Sequence, residues 1–249
     1  MYKKIDLHVH TPVSSCYVDH VVPEANIKTS LEEIVDAAIA AGLDAIAITD
    51  HNSAESIERV REISREKGLY IFPGVEISAR GGHALAIFDG NTPVEILHRL
   101  IELLGFAEEE RGQGFCETGL WLDEVFWRME ESGGIAIAAH ADRRPKGFLA
   151  SDEPTEVKKR IHSSNHLSAL EITIPTQREL WREGLMPHFP KKYACIQGSD
   201  AHSPNEIGRR PIYIECSTID LAHLRLALRE HETRIKFPQD LAEGENVEV

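Results

Sequence analysis

The chain has 249 residues, 42% of them hydrophobic, which is enough for one large α/β domain or two small ones with a sizeable core. A formal net charge of −14 repels nucleic acid at long range and argues against a protein that coats DNA, although metals and local arginines can still make a single site positive. The four cysteines (Cys16, Cys116, Cys195, Cys216) are scattered with no Cys-x-x-Cys pair, which disfavours a disulfide scaffold or zinc ribbon and fits a reducing cytoplasm.

Asp6 and His8 arrive before any apolar leader segment could form, so no signal peptide is expected, and no apolar run approaches membrane-spanning length. Ile5 to Val9 reads as the first strand. His8 and His10 are two apart and therefore share a face. Residues 11–29 are polar, carry Pro12 and Pro23, and read as a long loop of the kind that often has a function. Ser30-Leu31-Glu32-Glu33 is a capping box opening a helix that ends at Gly42. Leu43 to Thr49 reads as a buried parallel strand, with Asp50 and His51 just past its end. Ser53 caps a helix that stops at Gly68, and Leu69 to Phe72 is a strand leading to Pro73-Gly74-Val75-Glu76. After a turn at Gly81-Gly82, His83 to Phe88 is another apolar run, begun by its histidine instead of ended by it. Thr92-Pro93-Val94-Glu95 opens a helix that ends near Gly105. Residues 105–119 form a polar loop with no evident role. Leu120 to Ser132 is amphipathic, with Trp121 and Trp127 read as core anchors. Gly134 to Ala139 is a strand ending at His140. A mixed-charge connection with a helix around Glu153 to Ile161 follows. Leu170 to Ile174, Tyr193 to Gln197 and Pro211 to Glu215 complete the strands. Thr218 to His231 is a closing helix.

Strands alternating with helices imply a parallel sheet with crossover helices. About seven or eight strand-like runs are what a closed α/β barrel needs, and such barrels place their sites at the C-terminal strand ends. With no repeat or linker, residues 1–237 read as one domain, and residues 238–249 as an acidic tail expected to fray.

The ligand-type residues at these strand ends are His8, His10, His51, Glu76, His140, Asp200 and His202, with His83 as the exception at a strand start. Neutral imidazole is the commonest protein ligand for a metal. The set exceeds what one ion takes, and a carboxylate, most naturally Glu76, could bridge two ions that clamp a phosphoryl group. For three of them there is a plainer structural role: His51 could cap the helix after Ser53, His83 could be structural, and Asp200 could cap a turn. Asp6 and Asp50 precede ligand-type histidines and are expected to orient them. Arg143, three residues after His140, is placed to grip a phosphate, or else is a surface arginine.

These residues resemble the polymerase and histidinol phosphatase (PHP) family. The likeness lies in Asp6-Leu7-His8-Val9-His10-Thr11, Thr49-Asp50-His51-Asn52, Gly74-Val75-Glu76-Ile77-Ser78, Ala139-His140 and Gly198-Ser199-Asp200-Ala201-His202, in that order over roughly residues 5 to 210. The resemblance implies a distorted (β/α)7 barrel, two or three divalent metals (manganese, iron or zinc), and phosphoesterase chemistry. It implies a first metal on His8, His10, Glu76 and Asp200, a second on Glu76, His83 and His140, and a third served by His51 and His202, with Arg143 holding the substrate phosphate. Many members carry an acidic third-site ligand where this chain reads Ser14-Ser15-Cys16-Tyr17, so Asp19, His20 or the Cys16 thiolate would have to substitute. Ile207-Gly208-Arg209, Leu224-Arg225 and Arg234-Ile235 resemble a subgroup that works beside a large ATPase. The expected activity is hydrolysis of a nucleotide or oligonucleotide phosphate ester by a metal-bridged hydroxide, with a metal-bound water or His202 protonating the leaving group. The expected substrate is a phosphorylated small molecule or a nucleic-acid end. The alternatives are the nuclease arm of an ATPase complex, a histidinol-phosphatase-like enzyme, and a non-catalytic metal-binding scaffold.

Overall fold

The computed structural model describes residues 1–18, 21 and 23–241. Its elements run β1 (Tyr2–Val9), α1 (Glu24–Ala40), β2 (Ala45–Ile48), α2 (Ile57–Lys67), β3 (Tyr70–Arg80), β4 (Gly82–Ile87), α3 (Val94–Leu103), β5 (Thr118–Trp121) and α4 (Leu122–Glu131). They continue with β6 (Ile135–Ala138), α5 (Thr155–His162), β7 (Ala169–Glu171), α6 (Arg178–Arg182), β8 (Ala194–Ile196), β9 (Ile212–Glu215), α7 (Leu221–Arg229), α8 (His231–Arg234) and β10 (Ile235–Lys236).

Alternating Ile and Ala in Ala45-Ile46-Ala47-Ile48 and Ile135-Ala136-Ile137-Ala138 suit strands covered on both faces, and all of these residues are buried. Each fully buried Ile contributes about 1.5–3 kcal/mol. The sheet runs β10-β9-β1-β2-β3-β4-β6-β7-β8, with β5 attached to β3. Its two sides meet at one end only. Past β8 the chain returns to β1 through a parallel Val9–Ala201 bridge, with His10 N–H donating to Ala201 O at 3.0 Å. Lower down, β9 takes that flank of β1 in antiparallel register, from Tyr2 opposite Glu215 to Ile5 opposite Ile212. Strands β1, β2, β3, β4, β6, β7 and β8 therefore form a distorted, nearly closed seven-stranded barrel, tightest where the predicted site lies.

The one histidine at a strand start has a topological cause. Strand β4 is antiparallel to both β3 and β6, so its beginning lies at the same barrel end as the C-termini of the parallel strands. Strand β3 is also longer than expected. Its first half pairs with β2 and its second half with β4, so Glu76 sits within the strand and not beyond its end.

Other boundaries differ. The first helix begins at Glu24 after Pro23, and Ser30 lies in its interior, donating to Asn26 O at 3.4 Å. Trp127 is 42% exposed, and Trp121 lies under the Arg80 guanidinium 4.1 Å from its ring centre; the core face of α4 is instead Leu122, Val125, Phe126 and Met129. In the region expected to fray, Pro238–Asp240 form a 3-10 turn and Asp240 pairs with Arg178, while residues 242–249 lie outside the described residues. No helix among the described residues is long and apolar enough to cross a membrane.

Candidate metal centre

Glu76 is the centre of the barrel mouth and is fully buried. Its Oε2 lies 3.4 Å from His8 Nε2, 3.3 Å from His10 Nε2 and 3.0 Å from His51 Nδ1. Its Oε1 lies 3.0 Å from both His83 Nδ1 and His140 Nε2. The carboxylate thus turns one oxygen to each of two groups of imidazoles. Asp200 Oδ1 completes the first group, 3.3 Å from the Nε2 atoms of both His8 and His10. Donor atoms of His8, His10, Glu76 and Asp200 all lie within 4.8 Å of one another, as do those of His51, Glu76 and His83, and those of His10, Cys16, His51 and His202. Asp19 and His20, weighed above as third-site residues, lie outside the described residues.

Backbone strain accompanies this convergence. His140 (φ 30°) and Asp200 (φ 50°) adopt left-handed conformations that non-glycine residues rarely take, and such strain persists only where the surroundings impose it. Here they do. Glu171 Oε2 accepts the His140 N–H at 2.6 Å, and Asp6 accepts the backbone N–H groups of Ser199 (3.0 Å) and Gly208 (2.9 Å).

The hydrogen bonds also set the imidazole tautomers. Glu171 faces His8 Nδ1 at 3.0 Å, so in the neutral imidazole that nitrogen carries the proton and Nε2 has the lone pair directed at the site. Ser14 Oγ donates to Asp50 at 2.7 Å and must accept from His10 Nδ1 at 3.1 Å, so the neutral His10 ring likewise has its lone pair on Nε2. His202 Nδ1 donates to Asp200 O at 2.8 Å. Among the described residues, Asp6 and Asp50 accept from backbone and hydroxyl groups and not from an imidazole. Asp6 ties the Ser199–Gly208 segment to β1, and Asp50 accepts four bonds at 2.7 Å, from Thr11 N, Thr11 Oγ1, Ser14 Oγ and Ser56 Oγ.

Glu171 was not among the sequence candidates. The available signal was a lone carboxylate inside the apolar run Ala169-Leu170-Glu171-Ile172, because a buried charge requires a partner. Gly198 passes so close that a Cβ there would lie 2.1 Å from Glu171 Oε1 and 2.7 Å from His8 Cβ. Glu171→Gln keeps the shape and removes the charge, and should weaken metal binding about 10–100-fold in a competition titration while the far-ultraviolet circular dichroism stays unchanged.

The loop that had no evident role lies against this site. Gly112 N–H donates to His51 O at 2.8 Å, Asn52 Nδ2 donates to Gln113 O and Cys116 O at 3.0 Å each, and a Cβ at Gly114 would meet His51 Nε2 at 2.6 Å. Its Phe115 is 74% exposed. Arg143 reaches the cluster and donates from Nη2 to the outer Asp200 oxygen, Oδ2, at 2.5 Å.

Burial alone would raise the Glu76 carboxyl, but His51, His8 and His83 pull it well below the usual range. Asp200 is likewise lowered against its burial by His8 and His10. Against their own burial, His8 is raised well above 6.5, chiefly by Glu171 and Asp200, and His10 is raised to about 9 by Asp200 and Glu76. Burial lowers His83 to about 4, and burial with the neighbouring His10 lowers His202. Desolvation and the negative charge of Glu76 push the Cys16 thiol up to about 12, a field that a bound cation would reverse.

The donor set fits divalent ions. Glu76 Oε2 and His51 Nδ1 are buried without a hydrogen-bond partner although they lie 3.0 Å apart, whereas the unpartnered His83 Nε2 and His140 Nδ1 are the ring nitrogens opposite those that face Glu76. Leaving such atoms unsatisfied costs about 1–3 kcal/mol each. An ion between Glu76 Oε2 and His51 Nδ1 would remove that cost at those two atoms.

A barrel whose mouth gathers six histidines (His8, His10, His51, His83, His140, His202) around shared carboxylates defines a metal-binding α/β barrel. The family model described as the PHP domain matches residues 6–164, more than half of the chain, and the chain belongs to that family. It is 29% identical over 108 residues to an error-prone DNA polymerase of Symbiobacterium thermophilum, covering 43% of this chain and 9% of that protein. It is 34% identical over 143 residues to a 5'-3' exoribonuclease of Haemophilus influenzae, covering 55% of this chain and 46% of that one. The chain thus spans less than half the length of either relative. Among solved structures, the lesion-specific endonuclease EndoQ of Pyrococcus furiosus superposes with a TM-score of 0.69 at 17% identity, over 95% of this chain and 58% of that one, and shares its fold.

Proposed function

We propose that the protein is a metal-dependent phosphoesterase acting on nucleotide or oligonucleotide phosphate esters. The observation that carries this reading is Glu76, buried with one oxygen toward His8 and His10 and the other toward His83 and His140. In this reading His8, His10, Asp200 and Glu76 hold a first ion, Glu76, His83 and His140 a second, and His51 and His202 serve a third. Manganese, iron and zinc all suit imidazole with carboxylate. Paired divalent ions supply a nucleophilic oxygen at neutral pH and neutralise phosphoryl charge.

The chain's own groups complete the chemistry. Arg143 is part-exposed beside Asp200 and presents its remaining N–H groups to a phosphate at the barrel mouth. His202, lowered below the ordinary histidine value, is neutral near pH 7. It therefore suits ligation or proton acceptance, and must first take up a proton to protonate a leaving group.

The nucleic-acid enzymes among the relatives favour a substrate that carries a base, and exposed Phe115 on the loop over His51 offers a face for stacking. The residues that resemble the ATPase-associated subgroup are engaged within the chain: Arg209 Nε donates to Ser199 O, Gly208 N–H to Asp6, and Arg225 Nη2 to Gly134 O. Four free cysteines suit a reducing cytoplasm.

The test incubates the purified chain with manganese and compares a generic phosphomonoester, a generic phosphodiester and a labelled oligonucleotide, with His8→Ala as control. We expect hydrolysis of the diester and oligonucleotide that is lost in His8→Ala and on chelation. Hydrolysis of the monoester alone would remove the oligonucleotide reading and leave a nucleotidase or another small-molecule phosphatase. Turnover that survives both His8→Ala and chelation would end it.

A further inference from the structure

We infer that Cys16 is a metal ligand, its thiolate joining His51 and His202 in a third ion site that favours a thiophilic ion such as zinc, iron(II) or cobalt(II) over manganese or magnesium. The inference rests on the metal-dependent reading of the centre.

Donor atoms of Cys16, His10, His51 and His202 lie within 4.8 Å of one another. Tetrahedral zinc, with bonds of about 2.0–2.1 Å to nitrogen and 2.3 Å to sulfur, needs donor atoms about 3.5 Å apart, so binding would draw these side chains together. His10 cannot serve this site as well as the first. Its Nδ1 is engaged by Ser14, and its Nε2 already faces Glu76 and Asp200. Three protein ligands remain, Cys16, His51 and His202, of which His51 also faces Glu76 Oε2 from Nδ1 at 3.0 Å and so links this site to the Glu76 centre; a fourth position stays open, which is the arrangement of zinc sites that admit water or substrate.

The backbone holds Cys16 in this place. Ser15 N–H donates to Gly112 O at 2.8 Å, Tyr17 N–H to Ser14 O at 2.9 Å, and Val18 N–H to His202 O at 2.9 Å. The segment carrying Cys16 is therefore tied on one side to the loop over His51 and on the other to His202 itself. Cys16 is also exposed, so an ion has an approach.

Sulfur in place of a carboxylate changes which ion is held, because thiolate selects zinc and iron whereas carboxylate and water suit magnesium and manganese. On binding, the thiol proton leaves to solvent and the sulfur lone pair enters the new bond, with no change of oxidation state.

Cobalt(II) titration of the chelated protein tests the inference optically. Wild-type protein should show visible ligand-field bands together with a near-ultraviolet sulfur-to-cobalt charge-transfer band. Cys16→Ser should lose the charge-transfer band and keep the ligand-field bands of the other ions, while Cys116→Ser keeps both. Cys16→Asp should lose the charge-transfer band and shift the third equivalent from zinc toward manganese in a competition titration. Ligand-field bands with no charge transfer in the wild type, or charge transfer that survives Cys16→Ser, would overturn the inference and leave the metal reading intact. Absence of every cobalt band would overturn both.

Discussion

Glu76→Gln will cost the protein more than any other single change at the barrel mouth. The amide preserves the volume but removes the charge that five imidazoles face at 3.0–3.4 Å. It also turns an NH2 group toward one of the two imidazole sets, which repels any ion there. If changing an outer carboxylate costs about 10–100-fold in metal affinity, losing a shared ligand should cost more than about 100-fold at both positions. The metal-free protein should suffer as well. His8 and His10 hold protons because Glu76, Asp200 and Glu171 surround them. Removing one partner from such a buried cluster costs about 3–5 kcal/mol. Isothermal titration and a melting curve read the two effects separately. Asp200→Asn is the comparison: it should weaken the first ion and spare the second, since His83 and His140 face Glu76 and not Asp200. Ordinary metal stoichiometry in Glu76→Gln would refute the bridging role.

The second large effect is a dependence on pH that appears only when metal is removed. In the metal-free fold His10 titrates near 9, against 6.5 for its ordinary value. Below 6.5 the residue is protonated both folded and unfolded, and its stabilising contribution is fully present. Between 6.5 and about 9 the folded chain binds a proton that the unfolded chain does not, so stability falls as pH rises, and the contribution is gone above about 9. At about 1.36 kcal/mol per unit, the shift corresponds to roughly 3 kcal/mol. For a domain of this size that is a melting temperature lower by roughly 6–12 °C. A bound ion requires neutral imidazoles already, so the loaded protein should lack this slope. Chelation should therefore destabilise the protein more at pH 9 than at pH 6.5. Parallel melting profiles with and without chelator would contradict the assignment of His8 and His10 to an ion.

The parts of the fold and site legible in the sequence were those set by local chemistry. The His8–His10 pair follows from strand alternation, and strand ends are marked by apolar runs that stop at Asp50-His51 or His140. What escaped depended on contacts between distant segments. Glu171 reaches His8 only because β7 lies beside β6 and Gly198 leaves room for its carboxylate. The place of His83 required β4 to run against its neighbours, which hydrophobic pattern alone does not specify. The role of the loop around Gly114 depends on His51, far away in sequence. Trp127 falls in an amphipathic stretch and reads as a core anchor, yet the face of α4 that packs inward is set by the helix register of Leu122, Phe126 and Met129. Ser30 began a capping box in the sequence, but the chain before it, from Glu24, continues the helix outward to Pro23.

The central claim is that the clustered imidazoles and carboxylates hold ions on which hydrolysis depends. The most direct test removes metal by chelation and dialysis, then restores manganese stepwise while bound metal and phosphoester hydrolysis are measured on the same samples. The account predicts no turnover without metal and activity that returns as the sites on Glu76 fill, with no return in His8→Ala. Full turnover by the metal-free chain, or metal binding with equal affinity in wild type and His8→Ala, would contradict it.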